Sequence, residues 1–159
     1  MLRLINTMNK SKFTPRLYIL ADTDTTSRVR IQSIEHGTDW SIASIPRSRS
    51  VNQSYLTSVL STICSIIMTV PEVLSFKPDI VLCNGPGTCI PVCFVAFMMT
   101  LFLHTNISII FVESICRVNT LSLTGKILYF IADLMIVQWP ELKQKYGSRV
   151  KYLDEGLSI

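Results

Sequence analysis

The sequence predicts an α/β fold in which helices cover both faces of a parallel β-sheet. Segments typical of strands alternate with helical segments along the whole chain. One strand segment, Ile107–Val112, is a β-branched run of the kind found in parallel strands that are buried on both faces. A glycine turn, Asn84–Thr88, separates a strand from a helix, as in α/β proteins that bind phosphates or sugars. The 159 residues are enough for one domain.

The elements follow one another in a regular order, with no internal repeat. Strands are predicted at Arg16–Ala21, Trp40–Ile45, Asp79–Cys83, Ile107–Val112, Leu134–Gln138 and Val150–Leu153. Helices are predicted at Asp24–Glu35, Ser50–Val70, Thr88–His104, Ser122–Asp133 and Pro140–Tyr146. Asp22 and Asp24 are expected to cap the first helix.

Residues 80–112 contain no charged side chain, so a hydropathy window would suggest a transmembrane helix. Glycines and Pro91 interrupt this run, and the longest apolar helix within it, Pro91–Leu103, is shorter than the roughly 20 residues that a span needs. We therefore predict strand–helix–strand here. A single membrane span through Pro91–Val112 is the alternative.

The Ser50–Val70 helix combines an apolar stripe with a polar face of Ser, Thr, Asn and Gln that carries no charge. Solvated helix faces usually carry Lys and Glu, so we expect this helix to lie near lipid; an ordinary amphipathic helix is the alternative. The net charge of +4 arises within the first 49 residues, which hold eight basic and four acidic side chains. Such an excess suits weak attraction to anionic lipid. It lacks the aromatic platforms of a nucleic-acid groove, so no nucleic-acid partner is expected.

The five cysteines form no CxxC pair, and their number is odd. We interpret them as buried, reduced thiols of a cytosolic compartment. Metal ligation is not expected, because thiolate ligands usually come in closely spaced pairs.

Several motifs occur in a fixed order from about Phe13 to about Leu153. They are Ala21-Asp22-Thr23-Asp24, Ile45-Pro46-Arg47-Ser48-Arg49, Lys77-Pro78-Asp79, Val81–Thr88, Val112–Arg117, Leu121–Leu128 and Val137-Gln138-Trp139-Pro140. This ordered set resembles the asparagine-linked glycosylation family that anchors the UDP-N-acetylglucosamine transferase of the dolichol pathway.

The resemblance implies a Rossmann-like half of a split GT-B glycosyltransferase, similar to the bacterial enzyme that acts on lipid II precursors. The other half would be a soluble catalytic subunit that holds most of the UDP-N-acetylglucosamine. Together they would add the second N-acetylglucosamine to dolichyl-diphosphate N-acetylglucosamine, on the cytosolic face of the endoplasmic reticulum membrane. The chain itself would bind the lipid-linked diphosphate sugar and the membrane, with no cofactor and no metal.

Members of this family normally begin with a membrane helix, a first strand and a Ser-Gly-Gly-His loop, none of which this chain contains. The absent strand would lie inside the sheet, and His36 and His104 do not stand in the loop's motif. We therefore divide the chain into a basic segment at 1–15, a Rossmann-like acceptor-side domain at 16–153 and a tail at 154–159.

Candidate site residues follow from the turn, the strand ends and the resemblance. Substrate binding is predicted for Asn84, Gly85, Gly87, Thr88, Arg117, Arg47 and Arg49. Glu113 ends a buried strand and is the candidate catalytic base; an ion pair with Arg117 is its alternative role. Trp139 and Tyr152 are candidate partner-subunit contacts, or else pack internally.

The sequence alone leaves two other functions open. The chain can act as a recruitment scaffold that contributes no chemistry, or as an inactive shortened form. In either case it would be a non-autonomous part of a glycosyltransferase.

Overall fold

The computed structural model describes residues 10–47, 55–85 and 87–152, which form an alternating α/β fold. Its strands are β1 (Arg16–Ala21), β2 (Trp40–Ile45), β3 (Ile80–Asn84), β4 (Ser108–Val112), β5 (Leu134–Val137) and β6 (Val150–Tyr152). Its helices are α1 (Thr25–Ile34), α2 (Tyr55–Phe76), α3 (Cys89–Leu103), α4 (Leu123–Leu128) and α5 (Pro140–Tyr146), with a 3₁₀ turn at Gly147–Arg149. The predicted α/β class is confirmed.

All strand pairs are parallel, but they form two sheets. One sheet contains β1 and β2, and the other contains β3, β4, β5 and β6 in chain order. Within the described residues, β1 and β3 share no ladder, so each presents an edge without a strand partner. The break lies between the first two strands and the rest.

The hydrophobic core lies mainly between the four-stranded sheet and its helices. Met135, Ile136 and Val137 are consecutive in β5 and all buried, so this strand is covered on both faces, as predicted. Phe111 of β4 is completely buried and packs in the same cluster as Cys93 and other α3 residues. Ile45 of β2 joins this cluster, which ties the two-stranded sheet to the rest of the domain.

Helix α2 continues past Pro71 to Phe76, whereas the sequence analysis ended it at Val70. Proline in a helix interior removes one backbone hydrogen bond and costs about 3 kcal/mol. Val73, in the next turn, is buried in the core. We attribute the continuation of the helix to this packing.

Helix α4 ends at Leu128, five residues earlier than predicted. The cause is Asp133, whose backbone N–H donates to the Ile109 carbonyl at 3.0 Å. Its carboxylate accepts from the Ile109 N–H at 2.8 Å. These bonds fix Asp133 beside β4, directly before β5, so the chain leaves the helix before it.

Helix α2 buries part of its polar face and exposes part of its apolar stripe. Ser65 and Thr69 are fully buried; the Ser65 hydroxyl donates to the Pro46 carbonyl at 2.9 Å and that of Thr69 to the Ser65 carbonyl at 2.7 Å. Apolar side chains point outward instead: Val59, Leu60, Ile63, Ile67, Met68 and Leu74. Small hydroxyls bonded to backbone carbonyls can be buried at little cost, which permits this arrangement.

The region from residue 80 to 112 contains β3, α3 and β4, as predicted, so the single span through Pro91–Val112 is wrong. Among the described residues, one helix, α2, is long and apolar enough over Ser58–Phe76 to cross a membrane. Only 17% of that stretch is buried within the protein.

Candidate active site

Three strands of the larger sheet end side by side at its carboxyl edge. Asn84 of β3 stands opposite Val112 of β4, which stands opposite Ile136 of β5. The residues that follow these strands, including Gly85 and Glu113, therefore leave the sheet along the same edge. In open α/β sheets this edge is where ligands bind.

The turn after β3 is shaped for close approach by a ligand. Gly85 has a φ of +86°, a conformation that side chains with a Cβ rarely adopt. A Cβ on Gly87 would meet no atom within 4 Å, so the space beside it is open. Thr88 precedes α3, and its hydroxyl makes no capping hydrogen bond. Asn84, Gly85, Gly87 and Thr88 are brought together as predicted, and all are partly exposed.

Glu113 is completely buried, and backbone groups hold its carboxylate. Oε1 accepts from the Ser114 N–H at 2.9 Å, and Oε2 accepts from the Ser122 N–H at 2.9 Å and its hydroxyl at 3.0 Å. The Ser122 hydroxyl in turn accepts from the Gly125 N–H at 2.9 Å and caps α4. The carboxylate therefore joins the end of β4 to the start of α4 and does not face an open cleft, as a catalytic base would need to.

Two side chains from the end of β5 fasten the loop that follows Glu113. The Gln138 amide donates to the Glu113 carbonyl at 3.2 Å, and the Trp139 indole N–H donates to the Ile115 carbonyl at 2.7 Å. Trp139 is half-buried, so it has an internal role whether or not it also contacts a partner. Arg117 is exposed on this loop.

The alternative ion pair between Glu113 and Arg117 is absent. Among the described residues, the ion pairs join Lys10 and Arg16 to Glu35, at 3.4 and 2.9 Å, at the opposite end of the fold. Within the described residues Arg117 has no ion-pair partner, so it is available to a ligand. The carboxylate of Glu113 is held by hydrogen bonds alone.

The remaining candidates lie at other points of the carboxyl edge. Arg47 follows β2 and is exposed. Hydrogen bonds from Ser27 lower the pKa of the Asp24 carboxyl, and the charge of Arg47 lowers it further. Asp24 caps α1 as predicted, because the Ser27 N–H donates to it at 3.0 Å. Tyr152 is half-buried and stands opposite Val137 at the end of β6. Arg49 lies outside the described residues.

The sequence analysis missed Ser122, Gly125 and Gln138 as members of this site. A serine at the predicted helix start was the available signal for the cap, but nothing local indicates that Glu113 reaches it. Among residues 10–47, 55–85 and 87–152, no group of three His, Cys, Asp or Glu side chains is arranged to hold a metal ion.

Comparison with known proteins decides the family. The family model described as "Oligosaccharide biosynthesis protein Alg14 like" matches residues 1–155. The chain belongs to this Alg14-like family. The predicted resemblance is thereby confirmed.

Individual relatives match most of the Alg14-like chain. The Rattus norvegicus protein named UDP-N-acetylglucosamine transferase subunit ALG14 is 45% identical, over 94% of this chain and 73% of its own length. The proteins of the same name from Candida albicans and Schizosaccharomyces pombe are 41% and 35% identical, over 96% of this chain and 69% and 75% of their own lengths. No solved structure gives a significant match.

Proposed function

We propose that this Alg14-like chain is the acceptor-side subunit of a UDP-N-acetylglucosamine transferase of N-linked glycosylation. The observation that carries the proposal is an open glycine turn at the carboxyl edge of a parallel sheet, in a chain whose relatives are named as such subunits. The chain works with a separate catalytic subunit that holds the sugar nucleotide. The reaction adds the second N-acetylglucosamine to dolichyl-diphosphate N-acetylglucosamine.

The acceptor diphosphate is assigned to the turn between β3 and α3. Backbone N–H groups at a helix start favour an anion, and the open side of Gly87 lets the backbone come close to it. Thr88 supplies a hydroxyl without a capping role, and Asn84 an amide suited to a sugar hydroxyl. Arg117, exposed on the adjoining loop, supplies a guanidinium for a phosphate oxygen.

Glu113 is assigned a positioning role in place of the catalytic one. Its carboxylate is saturated by Ser114 and Ser122, so taking a proton from the acceptor would require breaking bonds that hold the loop. By holding Ser114 and Ser122, the carboxylate also holds the loop that carries Arg117. This arrangement also favours a second candidate function, a recruitment scaffold whose proton acceptor comes from the partner.

Membrane attachment is assigned to the outward faces of α2 and α3, defined here as the α2–α3 surface. Exposed apolar side chains on α2 join those on α3, which are Phe94, Leu101, Phe102 and Leu103. Phe102 is 71% and Leu60 69% exposed, and Glu72 is the only charged residue in either helix. An apolar, nearly uncharged surface of this kind marks a contact with lipid or protein. We assign the endoplasmic reticulum membrane as that contact.

Reconstitution tests the function directly. The chain and the soluble subunit, each purified, are mixed with UDP-N-acetylglucosamine and dolichyl-diphosphate N-acetylglucosamine in phospholipid vesicles. Product is expected only when both proteins are present. Full activity of the soluble subunit alone would refute a subunit role for this chain, and a chain that binds the partner without raising its activity would favour the scaffold.

A further inference from the structure

An apolar groove lies within the α2–α3 surface, between the two helices. Its volume is about 230 Å³, and only Ile, Val, Leu, Phe and Met side chains line it. Val95 and Met99 are buried and form its floor, whereas Leu74 and Phe102 are exposed and form its rim. The walls consist of Ile66, Val70 and Leu74 on α2 and Phe94, Met98 and Phe102 on α3.

We propose that this groove, defined here as the prenyl groove, binds the isoprenoid chain of the lipid-linked acceptor. The diphosphate of the same molecule binds at the turn between β3 and α3. This inference rests on the proposed function, from which it takes the acceptor and its diphosphate site. It adds a second binding site, for a branched hydrocarbon chain, to the site for the polar end of the acceptor.

Helix α3 connects the two sites. It begins at Cys89, directly after the glycine turn, and ends at Leu103, and Phe94 and Phe102 line the groove between these ends. At a rise of about 1.5 Å per residue, Phe94 lies about 8 Å along the helix from Cys89, and Phe102 about 20 Å. A chain attached to a diphosphate at the helix start therefore reaches the groove within the first two turns and follows it toward the helix end.

The size and the lining of the groove suit a stretch of a single hydrocarbon chain. A helix of a partner protein is about 10–12 Å across, and clefts for compact ligands usually measure about 300–1,000 Å³, which is more than the groove offers. No residue that lines it carries a charged group or a side-chain hydrogen-bond donor, so it has nothing to hold a headgroup or a sugar. Met98 and Met99 contribute flexible side chains that adapt to an irregular ligand, such as a methyl-branched chain.

The groove opens on the surface from which the chain would arrive. Its exposed rim belongs to the α2–α3 surface, which is assigned to the membrane, so an isoprenoid chain enters from the bilayer without crossing water. Lipid tails are as apolar as these side chains, so the groove contributes through packing and orientation and not by removing the chain from water. Its expected effect is to hold the diphosphate at the start of α3, which favours acceptors whose chain is long enough to fill it.

Photo-crosslinking tests the proposal without any need for activity. The full chain is bound to phosphatidylcholine vesicles that contain a farnesyl diphosphate analogue with a benzophenone at the far end of its chain. Irradiation should attach this prenyl probe to the residues that line the groove, as mapped by mass spectrometry, and unlabelled geranylgeranyl diphosphate should suppress the labelling. Labelling spread evenly over the outward faces of both helices, or labelling that the competitor does not suppress, would overturn the proposal.

A second probe separates the acceptor chain from ordinary membrane lipid. Phosphatidylcholine with a benzophenone at the end of one acyl chain should label exposed positions of the α2–α3 surface outside the groove, such as Leu60 and Leu101, more than Val95 and Met99 on its floor. Equal labelling of the floor by both probes would show that the groove takes up bilayer chains in general. That result would contradict the assignment to the acceptor.

Val70→Phe should narrow the groove, because Val70 is half-buried and lines it. We expect labelling by the prenyl probe to fall several-fold while flotation with vesicles stays unchanged, since the outer surface remains apolar. Val29→Phe, the same change at an exposed position of α1, is the control and should be labelled like the parent. Undiminished labelling in Val70→Phe with an unchanged circular dichroism spectrum would contradict the proposal. Leu74→Phe, at the exposed rim, repeats the test if Val70→Phe does not fold.

Kinetics with the partner subunit present measure the effect on the reaction separately. Val70→Phe should raise the KM for dolichyl-diphosphate N-acetylglucosamine several-fold and leave the KM for geranyl-diphosphate N-acetylglucosamine unchanged, because the shorter chain depends less on the groove. An equal effect on both acceptors, or on neither, would refute a role of the groove in the reaction. Absence of activity of the parent with either acceptor would count against the proposed function, whereas the labelling decides on the groove itself.

Discussion

A Cβ atom on Gly125 would overlap the Oε2 atom of Glu113. The glycine at the start of α4 is therefore required by a carboxylate twelve positions earlier in the chain, which three hydrogen bonds hold in place. Glu113, Ser122 and Gly125 form one unit that connects the end of β4 to α4 and shapes the loop that carries Arg117.

Gly125→Ala is expected to destabilise the protein by about 1–3 kcal/mol, the usual cost of overpacking a well-filled site. This cost exceeds the gain of up to about 1 kcal/mol that alanine brings to a helix. The measurement is urea unfolding, with Gly87→Ala as the matched control. Because a Cβ on Gly87 meets no atom within 4 Å, its effect on the free energy of unfolding should stay within about 0.5 kcal/mol. Equal effects of the two variants would contradict the packing of Gly125 on Glu113.

Glu113→Gln should lower the free energy of unfolding by about 1–3 kcal/mol, since an amide NH₂ would face a backbone N–H where a carboxylate oxygen now accepts. Glu141→Gln, an exposed acid at the start of α5, is the control and should unfold like the parent. A positioning role predicts that Glu113→Gln retains partial activity with an unchanged pH profile. A pH profile that loses its acidic limb would instead identify Glu113 as the base.

The opposite end of the fold should respond to acid through Glu35. Burial raises the pKa of this carboxyl, but the Tyr18 hydroxyl, Arg16 and Lys10 together outweigh burial and lower it below its ordinary value near 4.5. The resulting stabilisation is complete above that ordinary value and is lost as pH falls through the lowered one. Unfolding at a series of pH values should show this loss in the parent and a flatter dependence in Glu35→Gln. The same slope in both would contradict the prediction.

The α2–α3 surface should hold the chain on membranes. Ile63→Glu/Ile67→Glu places two charges on the outward face of α2 and should abolish flotation with phosphatidylcholine–phosphatidylserine liposomes. Val29→Glu is the control, because Val29 on α1 is 65% exposed, as is Ile67, but lies off this surface. Flotation of the double variant at the parent level, with its circular dichroism unchanged, would exclude this surface as the attachment site.

Local patterns in the sequence predict the strands well and the helices less well. The bounds of β1 and β2 follow from their β-branched and aromatic residues, and the glycine turn follows from its own residues. The end of α4 depends instead on hydrogen bonds between Asp133 and Ile109. These positions are far apart in the chain, so a local stretch of sequence does not reveal the contact. The same is true of α2, where periodicity identifies two faces but cannot tell that Ser65 and Thr69 are on the buried one.

The candidate site likewise contains residues that the local sequence places together and residues that only the fold brings together. Asn84, Gly85, Gly87 and Thr88 are consecutive or nearly so, and one motif is enough to place them together. The role of Glu113 depends on Ser122 and Gly125, which only the fold brings to it. From the sequence alone, a carboxylate at a strand end suggests a catalytic base. The burial of Glu113 and its hydrogen-bond partners indicate instead that it holds the loop in place.

The central claim is that the turn between β3 and α3 binds the lipid-linked acceptor, whereas the partner holds the sugar nucleotide. Steady-state kinetics of the reconstituted pair with Gly87→Ala test it most directly, because this change should not disturb folding. We predict a KM for dolichyl-diphosphate N-acetylglucosamine that rises several-fold, with the KM for UDP-N-acetylglucosamine unchanged. A rise confined to the KM for UDP-N-acetylglucosamine, or no change in either constant, would contradict the account.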